Sequence, residues 1–130
     1  MAGKYLRMSF VTLGAVRGGR QAGSMTTDGY EWSAVRDAPV RELFPGIRAR
    51  SLWSGGDGAK AYVLEMDPES CWVGVDVHEP GPEEVFVVSG VFNDGVRDYP
   101  AGSFIHAPAG SSHVPQTTTG CTLFVFYPEG

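Results

Sequence analysis

From Tyr30 onward, apolar and polar residues alternate in short runs, and each run stops at a turn signal. Val40–Phe44 is followed by Pro45-Gly46. Residues 47–53 are followed by Ser54-Gly55-Gly56-Asp57-Gly58, and Lys60–Met66 by Asp67-Pro68-Glu69. Residues 71–78 stop at Glu79-Pro80-Gly81-Pro82, 84–89 at Gly90, and 91–92 at Asn93-Asp94-Gly95. Residues 103–107 end at Pro108-Ala109-Gly110, and 113–117 and Cys121–Tyr127 complete the series. Alternation puts successive side chains on opposite faces of a strand. No segment keeps a helical apolar period over about 11 residues. Turn signals at intervals of about 8–12 residues predict an all-β single domain, a sandwich or barrel. Neither an internal repeat nor a low-complexity tract interrupts it.

Composition agrees and narrows the partners. Gly 18 and Pro 9 among 130 residues suit turns rather than helices. Lys+Arg 10 against Asp+Glu 15 leave a net charge of −5, a poor match for a phosphate backbone, so no nucleic-acid partner is expected. No apolar run approaches the ~20 residues of a membrane-spanning helix, so no membrane association is expected either. Two cysteines, Cys71 and Cys121, make no disulfide framework and point to a reducing, cytoplasmic setting. Residues 1–24 have a cationic start and a short apolar run. Arg17 and Arg20 stand where a leader would place small uncharged residues. The segment reads as an N-terminal extension or an appended piece, or alternatively as an N-terminal strand over residues 5–13. The domain is then residues 25–130.

Some polar residues do not fit a plain core. Along residues 71–78 one row carries Cys71, Val73, Val75 and Val77, and the other Trp72, Gly74, Asp76 and His78. A solvent-facing row rarely holds Trp72, and a core row rarely holds Asp76 with His78, because burying them unpaired is costly. A metal resolves the conflict, since a carboxylate and an imidazole two residues apart on a strand can share one ion. Glu83 follows a Pro-Gly-Pro turn that returns the chain beside His78. His113 opens the strand after a second tight turn.

Written out, the two stretches are Asp76-x-His78-x4-Glu83-x6-Gly90 and Gly102-x5-Pro108-x-Gly110-x2-His113. They resemble the two sequence motifs of the cupin superfamily. The resemblance covers about residues 60–127, and the run from Glu83 to Phe126 looks most like the ChrR-type cupins. It implies a jelly-roll β-barrel, the double-stranded β-helix, with one divalent metal per chain. The implied ligands are His78, Glu83, His113 and Asp76. Two positions depart from the pattern: Asp76 stands for the first histidine of motif one, and Thr117 for the final asparagine of motif two. His78, Glu83 and His113 remain the ligand set of facial-triad iron oxygenases. With Asp76 added, two carboxylates balance one divalent ion, which favours Fe²⁺ and also suits Mn²⁺, with Zn²⁺ or Ni²⁺ as alternatives. If Asp76 does not ligate, it is the candidate general base.

Tyr62, Trp72, His106, Phe124 and Phe126 are the expected pocket residues, with core packing or surface placement the plainer reading of each. Glu84 is expected on the opposite face from Glu83. The resemblance implies a small-molecule enzyme, foremost a mononuclear metal oxygenase acting on an oxygen-chelating substrate. A non-redox isomerase, cyclase or lyase would use the same site. A free-standing metal-bound sensor related to anti-sigma cupin domains is the binding alternative. Residues 1–59 lack Cys and His, so the zinc-binding helical domain of such anti-sigma factors is not expected there. A degenerate, metal-free cupin is the remaining reading. The apolar row of Cys71, Val73, Val75 and Val77, with Phe86 and Val88 on the next strand, needs a cover; a homodimer is the expected one, with the N-terminal strands or residues 40–53 of the same chain as the alternatives.

Overall fold

The computed structural model describes residues 23–130. The chain divides after Tyr30 into two units, Met1–Tyr30 and Glu31–Gly130. In the first, the described residues form no helix or strand, and one turn is closed by Tyr30 N–H donating to the Thr27 carbonyl at 3.0 Å. The strand expected over residues 5–13, and residues 1–22 of the expected extension, lie outside the described residues.

In the second unit, a single 3₁₀ turn, Val35–Asp37, precedes eleven strands. These are β1 (Val40–Phe44), β2 (Ile47–Ser54), β3 (Lys60–Met66), β4 (Ser70–Cys71), β5 (Asp76–Val77) and β6 (Glu83–Asn93). The rest are β7 (Asp98–Pro100), β8 (Phe104–Ala107), β9 (Ser112–His113), β10 (Gln116–Thr117) and β11 (Cys121–Tyr127). The main sheet runs β1-β2-β3-β11-β6-β10-β4, with β7 and β8 also on β6, and β5 pairs with β9. Every pairing among the described residues is antiparallel. The sheet closes nearly into a barrel, the jelly roll expected from the motifs. No helix among the described residues is long and apolar enough to cross a membrane.

β6 bridges the two halves, and its alternation sets the inside. Glu83, Val85 and Val87 point inward and are buried, while Phe86 and Val88 are exposed. On β11, Cys121, Leu123 and Val125 join that interior, with Ile47, Met66 and Phe92 completing the core. Both cysteines are free. Cys71 is exposed, and burial pushes the Cys121 thiol up to about 11.

Three expected strands come out differently. Residues 71–78 form two short pieces rather than one strand, because Gly74 takes a left-handed φ of 87° between them. Their partner, expected over 113–117, is likewise split into β9 and β10 around Pro115, which has no N–H for a ladder and accepts from Trp72 N–H instead. In contrast, β6 runs unbroken through Gly90, where a stop was expected. Gly90 has φ 74°, and a Cβ there would lie 2.0 Å from the Gly120 carbonyl oxygen. Glycine lets the strand hug the turn before β11 instead of ending.

Gly90→Ala is therefore expected to combine a left-handed alanine with a backbone collision. Together these cost roughly 3 kcal/mol or more, about 10 °C or more in melting temperature for a domain of this size. A thermal melt by circular dichroism checks this; a variant melting within a degree or two of the parent would refute it.

Candidate metal centre

The β5–β9 ladder puts Asp76 directly across from His113. The inward row expected at 72–78 holds: Trp72 and Asp76 are partly buried, His78 is 4% exposed, and Val73, Val75 and Val77 face out. The turn Glu79-Pro80-Gly81-Pro82 then returns the chain so that Glu83, also 4% exposed, starts β6 beside His78. All four side chains meet. His78 Nε2 lies 3.0 Å from His113 Nε2, 3.4 Å from a Glu83 oxygen and 3.6 Å from Asp76 Oδ2. His113 Nε2 lies 3.0 Å from Asp76 Oδ2 and 3.8 Å from the other Glu83 oxygen. One donor atom from each of the four lies within 4.8 Å of the others.

These separations suit a common ion. Donors about 2.1 Å from a metal are about 3.0 Å apart at right angles and about 3.4 Å apart at the tetrahedral angle. The electrostatics ask for a cation as well. Burial pushes the Glu83 carboxyl up from its ordinary value, and a hydrogen bond from Tyr127 and the two imidazoles oppose that shift. A divalent ion would favour the charged carboxylate directly.

Two further residues complete the centre, and the sequence reading missed both. The Ser111 hydroxyl donates to the Pro108 carbonyl at 2.6 Å. Its single proton being used, it accepts from His78 Nδ1–H at 3.0 Å, which leaves the Nε2 lone pair of His78 facing the cluster. Tyr127 O–H donates to Glu83 at 2.7 Å, and burial together with Glu83 pushes its phenol far up, so it stays a donor. Ser111 stands between Gly110 and His113 inside the second motif, and Tyr127 continues the inward row of Leu123 and Val125. Those were the available signals. Thr117, in place of the motif's asparagine, is structural: its hydroxyl donates to the Val91 carbonyl at 2.6 Å and accepts from Gly120 N–H at 3.1 Å.

The cluster closes one end of a cavity of about 500 Å³, in the size range of small-molecule sites. Of the residues proposed for a pocket, Tyr62 and Trp72 line it. His106, Phe124 and Phe126 do not, which corrects their assignment to the pocket. His106 bonds Glu84 at 2.6 Å across the β6–β8 ladder on the outer face. Phe124 and Phe126 share the outward row of β11 with Thr122, opposite Val125 and Tyr127. Glu84 lies on the opposite face from Glu83, as expected.

A family profile described as ChrR Cupin-like domain matches residues 25–129. No curated protein matches the chain's sequence. Among solved structures, the chain resembles the crystal structure of Rhodobacter sphaeroides SigE in complex with the anti-sigma ChrR. The TM-score is 0.61 at 26% identity, over 72% of this chain and 51% of that one, so the chain spans about half the length of that relative. An RmlC-like cupin from Shewanella frigidimarina aligns with TM-score 0.68 at 20% identity, over 78% of this chain and 92% of that one. The polyketide cyclase RemF from Streptomyces resistomycificus aligns with TM-score 0.65 at 20% identity, over 78% of this chain and 80% of that one. At such identities the last two show the fold alone.

His113→Ala is expected to lower bound metal well below one ion per chain, read by elemental analysis. Full occupancy in that variant would reject the assignment. Tyr127→Phe keeps the ring and frees Glu83, so metal is expected to stay but bind about 10- to 100-fold more weakly in a chelator competition.

Proposed function

The chain belongs to the ChrR cupin-like family, and on that premise we propose that His78, Glu83, His113 and Asp76 hold one divalent metal for oxygenase chemistry on a small oxygen-chelating substrate. The observation that carries this is the meeting of two imidazole nitrogens and two carboxylates, buried at the end of an otherwise largely apolar cavity. Fe²⁺ is the proposed ion, ahead of Mn²⁺, Zn²⁺ and Ni²⁺, because a two-histidine, two-carboxylate set is hard and neutralises a divalent charge. When bound, such an ion polarises substrate oxygens and, if redox-active, couples them to O₂.

The chain's own residues do the rest. Ser111 keeps the His78 ring in the tautomer that presents Nε2. Tyr127 holds Glu83 by its hydroxyl, so one carboxylate oxygen keeps a fixed position. Asp76 is more exposed than Glu83, and both line the cavity. It serves as fourth ligand, or as the base that takes a substrate proton in a non-redox isomerase, cyclase or lyase. Trp72, Tyr62 and Phe92 exclude water from the substrate's path.

A second reading rests on the likeness to ChrR: a metal-bound sensing module that engages a protein partner. One experiment separates the two. Purified protein is analysed for metal, and O₂ uptake is followed after Fe²⁺ is restored. Stoichiometric iron with substrate-dependent O₂ consumption is expected; tight zinc with no turnover would favour the sensor or the non-redox readings.

The family match begins at residue 25, which supports taking residues 25–130 as the domain and 1–24 as an extension. The two free cysteines support a cytoplasmic setting. We also propose a homodimer. Phe86, Val88, Phe104 and Phe124 are between 38% and 67% exposed on the outward face of β6, β8 and β11, and a second copy would cover them. Light scattering at micromolar concentration is expected to report twice the 13.9 kDa chain mass; one chain mass would reject the dimer.

A further inference from the structure

The charges lining the cavity are divided between its walls. Its acidic side chains, Asp76, Glu79 and Glu83, all come from the segment that builds the metal centre. Its basic side chains, Arg41 on β1 and Lys60 on β3, come from the facing sheet. Lys60 is placed beside the centre by register, directly across from Tyr127. Arg41 pairs with Ala49, which lines the same cavity.

Neither cation has an acidic partner within 4.0 Å among the described residues; Lys60 is partly buried and Arg41 is exposed. The outward arginines of the neighbouring strand are different. Arg48 is paired with Glu65 and Asp67, and Arg50 with Glu65. The two cavity-lining cations are thus left without a carboxylate partner on an acidic protein of net charge −5. A divalent ion would cancel Asp76 and Glu83. Among the lining side chains, Arg41 and Lys60 would then stand against Glu79 alone, a net of one positive charge, with Arg41 and Glu79 exposed and Lys60 partly buried. Between these charges the walls are apolar, with Leu43, Leu64, Leu123 and Val125 among them.

We propose that the ligand of this cavity is a small organic anion, with its apolar body on the leucine and valine wall and its negative group drawn by Arg41 and Lys60. This rests on the metal reading for the ligand's other end, where a pair of oxygen donors reaches the centre. Arg41 and Lys60 are specificity-determining residues: they select among ligands by charge and contribute nothing to holding the metal. An acidic group meets two cationic donors there, whereas a neutral analogue gains a charge-assisted bond from neither.

The test compares two catechols by calorimetry on metal-loaded protein under anaerobic conditions. 3,4-Dihydroxyphenylacetate carries the negative group, and 4-methylcatechol is its neutral counterpart. The acid is expected to bind about tenfold more tightly at low salt, with the advantage shrinking as salt rises. Each of Arg41→Met and Lys60→Met should reduce the ratio, and the double variant should bring it near one with metal content unchanged. The charge-keeping pair Arg41→Lys and Lys60→Arg should retain the preference, which separates charge from packing. Equal binding of the two catechols by the parent, no binding of either, or a ratio that survives the double variant would overturn the proposal. Metal content is read in the same samples. Protein without metal refutes the reading of the centre, while the anion preference is still read there with phenylacetate against phenylacetamide.

Discussion

Two carboxylates and two imidazoles buried against one another are the constraint around which this domain is arranged. Removing a charged group from water costs several kcal/mol even after relaxation, and two like charges add to that. Here Glu83 is among the most buried polar groups of the described residues, and Asp76 stands within the same cluster. Hydrogen bonds answer part of the cost, through Tyr127 on Glu83 and Ser111 on His78. The nitrogen lone pairs and carboxylate oxygens that converge on one point are arranged as a cation would need them.

The antiparallel barrel delivers that convergence from distant parts of the chain. Asp76 and His113 meet because β5 and β9 are paired, though 37 residues separate them. Glu83 meets His78 because a Pro-Gly-Pro turn reverses the chain between them. Tyr127 meets Glu83 because β11 lies against β6, 44 residues away. Gly90 belongs to the same framework. Without a Cβ, β6 can lie against the turn before β11, so its first half faces the metal centre and its second half crosses to β7 and β10.

The sheet also separates two apolar surfaces. The inward one is lined by residues such as Leu64, Leu123 and Val125 and encloses a cavity with the centre at one end. The outward one carries exposed Phe86, Phe104 and Phe124, with the Glu84–His106 pair on the next row. The candidate metal centre and the exposed apolar row thus lie on opposite faces of the same strands, which a barrel wall makes geometrically independent.

What the sequence determined by itself was local. Period-2 alternation and turn residues marked β1, β3 and β11 to the residue, and motif spacing named the four side chains that meet. Those signals survive because strand parity and turn length are properties of neighbouring residues. Tertiary structure decided what alternation leaves symmetric. On β6 and β11 both rows are apolar, so parity could not say whether Phe124 and Phe126 or Val125 and Tyr127 face inward. His106, read as a pocket residue, turned out to pair with Glu84 outside. Ser111 and Tyr127 found their roles only when loops and strands far apart in the chain were brought within hydrogen-bonding distance. Which face becomes the inside is set by closure of the sheet, a long-range event that no short stretch of sequence records.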